Sequence, residues 1–377
     1  MAPIIFWIAL AGVAYVYAGY PLVLMVWRRF ARRPVRKRAC EPTVSLVICM
    51  ENEAGNVLPK MKNCRELDYP PDRLQVIVSL DAPTDATAEL LRNFAPRGVE
   101  IISFPIRRGK AAAVNGGVAV ATGEILVFGD AGQRLEPNAL RELVANFADE
   151  RVGAVSGALI LLDEHGQEAC EGAGAYWRYE KYLRAMESDI HSVPGATGAI
   201  YAVRRSLFAP LPAETILDDV VVPMRIVLGG HRAIFDPAAR AYDAVSDSAE
   251  CEYRRKRRTL TGNYQLLAEM PELLSCRRNP IFVQFISHKV GRLLVPYCLA
   301  ALFISNLFVM HGAYPAAFAA QVLFYCTAAA GRLIPNRAAI LPYRFVLMNW
   351  AVLAGLFLFA RGATGVWSRD ISRRRLG

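Results

Sequence analysis

Three acidic positions in this 377-residue chain stand where apolar runs begin or stop: Asp81 after Leu74–Leu80, Asp130 after Ile125–Gly129, and the pair Asp218-Asp219 ahead of Val220–Val222. Carboxylates at the C-terminal ends of buried strands are where open α/β sheets collect their ligands. Neighbouring side chains diverge on any regular element, so Asp218 and Asp219 can divide their work, one anchoring and one reaching a reactant. Any one aspartate of this kind is commonly a turn or helix-cap residue. Together they point to a nucleotide-and-metal site closed by a general base.

The residue types set the chemistry. Within the set Asp81, Asp85, Asp130 and Asp219, one carboxylate can hold base or ribose hydroxyls. A second can bind a hard divalent cation, Mg2+ or Mn2+, which keeps several waters and spans phosphates. Lys110, ahead of the small-residue run Ala111–Val120, offers a point charge for phosphate, although a solvated lysine is an equally ordinary reading. With a nucleotide-sugar donor, an acceptor hydroxyl attacks the anomeric carbon, the nucleoside diphosphate leaves, and Asp219 is the candidate base. The basic run Arg254–Arg258 can clamp a diphosphate or lie on lipid headgroups. Tyr176, Trp177 and Tyr179 can stack on a sugar, but at helical spacing a core or interfacial place is more common.

These groups need a scaffold. Runs rich in β-branched and apolar residues predict strands over Thr43–Cys49, Leu74–Leu80, Val99–Phe104, Ile125–Gly129, Val152–Leu162 and Ile200–Val203. Two further short strands are predicted at Arg232–Asp236 and Ala239–Tyr242. Helices are predicted at Asn56–Arg65, up to Arg92, at Ala111–Val120, at Gly172–Ile190 and from Asp218 to Leu228. Alternating strands and helices mean an α/β fold with a largely parallel sheet.

Hydrophobic residues make up 54% of the chain and concentrate at its two ends. Ile4–Trp27 is long enough to span a bilayer. The collar of Arg28, Arg29, Arg32, Arg33, Arg36, Lys37 and Arg38 follows it. That order is the reverse of a cleavable signal peptide, so the segment reads as an anchor with the central region cytoplasmic. The net charge of +10 lies largely beside membrane segments, which argues against nucleic acid and for anionic headgroups. Eight scattered cysteines without a C-x-x-C argue against a zinc site or disulfide framework. Spans are expected at Leu293–Met310, Tyr314–Ala330 and Leu341–Ala360. Four crossings would place Arg373–Arg375 outside, against the positive-inside rule, so one C-terminal segment is expected to be re-entrant or interfacial. The domain plan is an anchor (1–27), a basic linker (28–42), the α/β domain (43–250), basic amphipathic helices (251–290), C-terminal spans (291–361) and a basic tail (362–377).

In this order, the motifs from Thr43 to Gln265 resemble a membrane-bound family-2 glycosyltransferase, the inverting group that includes cellulose, chitin and hyaluronan synthases. Val44–Glu53 is similar to the family's first strand and N-E contact, which implies a nucleotide role for Glu53. Asp81–Thr87 resembles the D-G-S-x-D-G-T loop, implying nucleotide contacts from Asp81 and Asp85, and Gly109–Asn115 resembles G-K-A-x-A-L-N. Phe128–Gly132 falls on the D-x-D metal motif, and Gly195–Tyr201, with Gly195, Thr197 and Gly198, on the acceptor-side glycine loop. Asp218-Asp219 matches the E-D pair whose second member is the base, and Arg255–Thr259 the Q-x-x-R-W motif through Arg255 and Arg258. Gly132 replaces the second acid of D-x-D, Thr259 replaces the acceptor-lining Trp, and Cys49, Glu51 and Pro83 also depart.

The resemblance implies a GT-A fold, Rossmann-like with a mostly parallel sheet, at a bacterial-type inner membrane. It implies a nucleotide-sugar donor and either a growing polysaccharide or a polyprenyl-phosphate-linked acceptor, with secretion-complex subunits as further partners. The alternative expectation, motivated by Gly132 and Thr259, is a degenerate non-catalytic subunit or sugar-nucleotide sensor.

Overall fold

A computed structural model describes residues 1–163, 165–169, 173–244, 249–309, 311–333 and 337–362. Gly172, Met310 and the basic tail from residue 363 lie outside the described residues, as does the Tyr176 side chain. The chain forms two compact units, one built mainly from Trp27–Val245 and the other from Met1–Val26, Ser246–Leu274 and Phe282–Ala363.

The first unit is built on a sheet of β1 (Val44–Met50), β2 (Leu74–Asp81), β3 (Val99–Phe104), β4 (Ile125–Asp130), β5 (Arg134–Leu135), β6 (Val152–Leu162), β7 (Tyr201–Arg204) and β8 (Arg232–Ala244). The eight strands run in the order β3-β2-β1-β4-β7-β6-β8-β5. β1 pairs in parallel with β2 and β4, β2 with β3, and β6 with β8. β7 is antiparallel to both β4 and β6, and β5 to β8, so the sheet is mixed beyond its parallel half. β1 and β4 read as unbroken apolar runs because both their faces are buried. The helix Lys110–Val120 lies so close to the sheet that a Cβ on Gly117 would sit 2.5 Å from Val47. Its run of small residues is therefore a packing requirement.

Two strand expectations change. The predicted pair Arg232–Asp236 and Ala239–Tyr242 is one 13-residue strand, β8. Its pairing with β6 shifts between Ser156 and Ala158, and Asp236 Oδ1 accepts the Ala238 amide at 3.0 Å. That bulge, with Pro237 in it, interrupts the apolar pattern without ending the strand. β5 has only two residues, too short for any period to reveal. The arginine collar also has partners within this unit: Arg28 pairs with Asp189 at 2.6 Å and Lys37 with Asp236 at 2.7 Å.

In the second unit, three helical stretches among the described residues are long and apolar enough to cross a membrane: Ala2–Phe30, Phe282–Leu307 and Ala339–Ala360. The expected span at Tyr314–Ala330 is helical (Tyr314–Leu333) but is not among them, its apolar run being broken by Gln321, Thr327 and Arg332. The basic run lies in the helix Ala249–Glu269, where Gly355 approaches closely: a Cβ there would be 3.0 Å from the Thr261 amide nitrogen.

Candidate active site

Parallel pairing puts Cys49 of β1 beside Asp130 of β4, and Asp81 at the end of β2 beside Phe104. The C-terminal ends of three strands thereby converge. Asp81 is fully buried, and its two carboxylate oxygens accept the Arg108 and Gly109 amides at 2.7 and 2.8 Å. Gly109 has φ of +88°, a left-handed conformation that glycine adopts without steric cost, and it starts the helix carrying Lys110. Asp81 thus shapes the loop that delivers Lys110.

Lys110 Nζ lies 3.0 Å from Asp130 Oδ1 and 3.2 Å from Asp218 Oδ1. Asp218 is 4% exposed and also accepts the Tyr201 hydroxyl at 3.2 Å. The Tyr201 ring stacks on Phe128 with centroids 4.8 Å apart. Burial, reinforced by the Asp218 charge, holds this phenol well above its ordinary range, so it acts as a neutral donor. The adjacent pair therefore divides: Asp218 is anchored, and Asp219, one position on, is only partly buried.

The loop Gly195–Ala199 is strapped to the start of the Asp218–Leu228 helix, the Ala196 amide donating to the Asp219 carbonyl at 2.7 Å. Gly195 takes φ of +126°. Thr197 is turned inward: its hydroxyl accepts from Arg184 at 2.5 Å and its amide donates to Ser156 Oγ at 3.0 Å. A Cβ built on Gly198 would lie 3.1 Å from Asp219 Oδ2 and 3.8 Å from Asp130 Oδ2. The two carboxylates face one small space that a side chain at 198 would enter.

Glu53 accepts from Asn56 Nδ2 at 2.5 Å, while its own amide donates to Thr87 Oγ1 at 2.8 Å. Burial pushes the Glu53 carboxyl up, the Asn56 hydrogen bond opposes this, and the Asp130 charge adds to the rise. Asp85 accepts the Ala54 amide at 3.1 Å and the Thr87 amide at 3.0 Å, so it ties the β1 and β2 loops together. Asn115 makes a two-way bond with the Leu211 backbone, at 2.8 and 2.9 Å.

The contributions of Arg184, Ser156 and Asn56 were not drawn from the sequence. Only the Glu180–Arg184 spacing, realised as a 3.5 Å pair, offered a signal. Arg255 and Arg258 lie on the helix of the second unit, where the Thr259 hydroxyl donates back to the Arg255 carbonyl at 3.1 Å.

Asp130, at the end of β4 with its side chain 43% exposed, is the acid of this site that suits a divalent cation with phosphate. No group of three His, Cys, Asp or Glu side chains among the described residues forms a metal cage, so such a cation would take part of its coordination from the nucleotide.

A mixed sheet of this order, with acids at its strand ends, is the GT-A fold of glycosyltransferases. Residues 45–211 match the sequence model of glycosyl transferase family 2. It is 26% identical over 263 residues to the probable glycosyltransferase YdaM of Bacillus subtilis, covering 64% of this chain and 60% of that one. It is 25% identical over 244 residues to the beta-monoglucosyldiacylglycerol synthase of a Nostoc species, covering 62% of this chain and 51% of that one. The chain thus spans between half and three fifths of the length of these curated relatives. Among solved structures, a mannosyltransferase from Pyrobaculum calidifontis, in complex with GDP-Man and Mn2+, superposes with a TM-score of 0.72 at 25% identity. That match covers 94% of this chain and 99% of the other.

Proposed function

We propose that the protein transfers a sugar, with inversion, from a nucleotide-sugar donor to a hydroxyl carried in the membrane, on a lipid-linked glycan or a growing polysaccharide. The observation that carries this reading is the convergence of Asp219 Oδ2 and Asp130 Oδ2 on the space beside Gly198. The acceptor oxygen forms a bond to the anomeric carbon while the bond from that carbon to the diphosphate oxygen breaks. Asp219 takes the hydroxyl proton, and the nucleoside diphosphate leaves with the electron pair. Asp130 would hold a divalent cation, Mg2+ or Mn2+, which when bound supplies positive charge to the departing diphosphate. Lys110 fixes Asp130 and Asp218 relative to each other. Glu53, Asp81 and Asp85 line or shape the nucleotide side. The bound GDP-Man and Mn2+ of the Pyrobaculum enzyme and the glycolipid in the Nostoc enzyme's name support the donor and cation classes and a membrane-borne acceptor.

With three crossings the N-terminus would lie outside and the domain and the basic tail inside, an arrangement that the positive-inside rule supports and that four crossings would violate. The Tyr314–Leu333 helix is then the interfacial one.

The deciding experiment is nucleoside diphosphate release by protein purified in detergent with membrane lipid acceptors, screened over nucleotide sugars with Mg2+, Mn2+ or EDTA. Asp219→Asn should cut turnover about 10²–10⁴-fold, the scale of a lost general base, with donor binding retained. Gly132 and Thr259 favour a second reading, a non-catalytic sugar-nucleotide sensor. Wild-type nucleotide binding without release on any donor would establish that reading instead.

A further inference from the structure

Gly132 raises a specific question, because the chain keeps the first acid of the metal motif and lacks the second. The structure shows what stands beside the gap. A Cβ on Gly132 would meet only Asn56 Nδ2, at an ordinary 3.7 Å. That same Nδ2 donates to Glu53 Oε2 at 2.5 Å. A carboxylate extending from position 132 would therefore be directed at the Asn56 amide and compete for the place Glu53 now takes. Glu53 is held there from three sides: its amide by Thr87, its side chain by Asn56, and its carbonyl by the Asn56 amide at 2.8 Å.

We propose that Glu53, reaching in from the β1 loop, supplies the second carboxylate of the cation site in place of the acid missing at 132. The inference rests on the glycosyltransferase reading of Asp130. It changes the role of Glu53 from nucleoside contact to cation partner. Mg2+ and Mn2+ accept such a site, since one or two carboxylates with phosphate oxygens and water satisfy them.

The test is gain of function by transplantation. Mn2+ affinity is measured by electron paramagnetic resonance on the full-length protein with saturating GDP or UDP, and nucleotide binding is measured separately in EDTA. Glu53→Gln keeps an oxygen for Asn56. It should weaken Mn2+ binding at least about tenfold, the scale seen on removing even an outer partner of a bound metal, and leave nucleotide binding in EDTA unchanged. Adding Gly132→Asp to that variant should restore Mn2+ affinity to within about threefold of the wild type, because the position has room and an ordinary backbone. Unchanged Mn2+ affinity in Glu53→Gln, with loss in Asp130→Asn, would overturn the inference and leave the glycosyltransferase reading standing. Loss in Glu53→Gln that Gly132→Asp does not restore, or loss that persists in EDTA as weaker nucleotide binding, would return Glu53 to a nucleoside role. If Asp130→Asn also leaves Mn2+ binding intact, the reading of Asp130 fails first.

Discussion

Gly198→Ala is the sharpest perturbation of the reacting centre, because it adds one methyl group where the two acids face each other. The new Cβ would sit 3.1 Å from Asp219 Oδ2 and 3.8 Å from Asp130 Oδ2. The second distance is an ordinary contact; the first is tighter than nine in ten real Cβ contacts. Either Asp219 yields by a few tenths of an ångström or the methyl shifts toward Asp130, and both change the gap between the two acids. A misplacement of about 1 Å costs about 10²-fold in rate, so a shift of a third of that costs about fivefold, and occupation of reactant space adds to it. A fall in kcat of about tenfold is expected. Position 198 has no left-handed φ, so alanine brings no backbone strain, and its lower unfolded-state entropy contributes about 0.4–1 kcal/mol in favour of folding. Melting temperature should therefore hold or rise slightly. The assay is initial rate of nucleoside diphosphate release at saturating donor, alongside a thermal melt. Activity within twofold of the wild type in a well-folded Gly198→Ala protein would refute the claim that Asp219 and Asp130 address one point.

Two further outcomes follow from other parts of the molecule. Burial, with Arg33 and Arg232 nearby, depresses His191 to about 4 from an ordinary 6.5. The unfolded chain then binds the extra proton first, so this group's stability contribution is present above about pH 6.5 and lost as pH falls toward 4. Melting curves of the wild type and His191→Gln should converge in that window, and parallel curves would remove His191 as the cause. For membrane orientation, a cysteine placed after Gly377 in a variant whose eight native cysteines are replaced by serine should resist a membrane-impermeant maleimide in intact cells and react once the membrane is opened. Labelling in intact cells would refute three crossings.

Much of the domain was legible from local signals, since buried strands are written as contiguous β-branched runs and the helix at Asp218–Leu228 begins at its own acids. The break in β8 was misread because a bulge around Asp236 and Pro237 looks, along the chain, like a turn between two strands. The split between Asp218 and Asp219 was foreseeable from their adjacency, but which one anchors depended on Lys110 and Tyr201, respectively 108 and 17 positions before Asp218.

The sequence by itself determined the residue types, the strand ends and the family motifs, because these depend on neighbours a few positions apart. Only the tertiary structure decided that Asp81 is spent on holding the Lys110 loop and that Thr197 faces Arg184. It alone brought Gly198 between the two acids and Asn56 beside Gly132. Those are pairings between distant segments, fixed by strand order and packing, which no local period in the chain encodes.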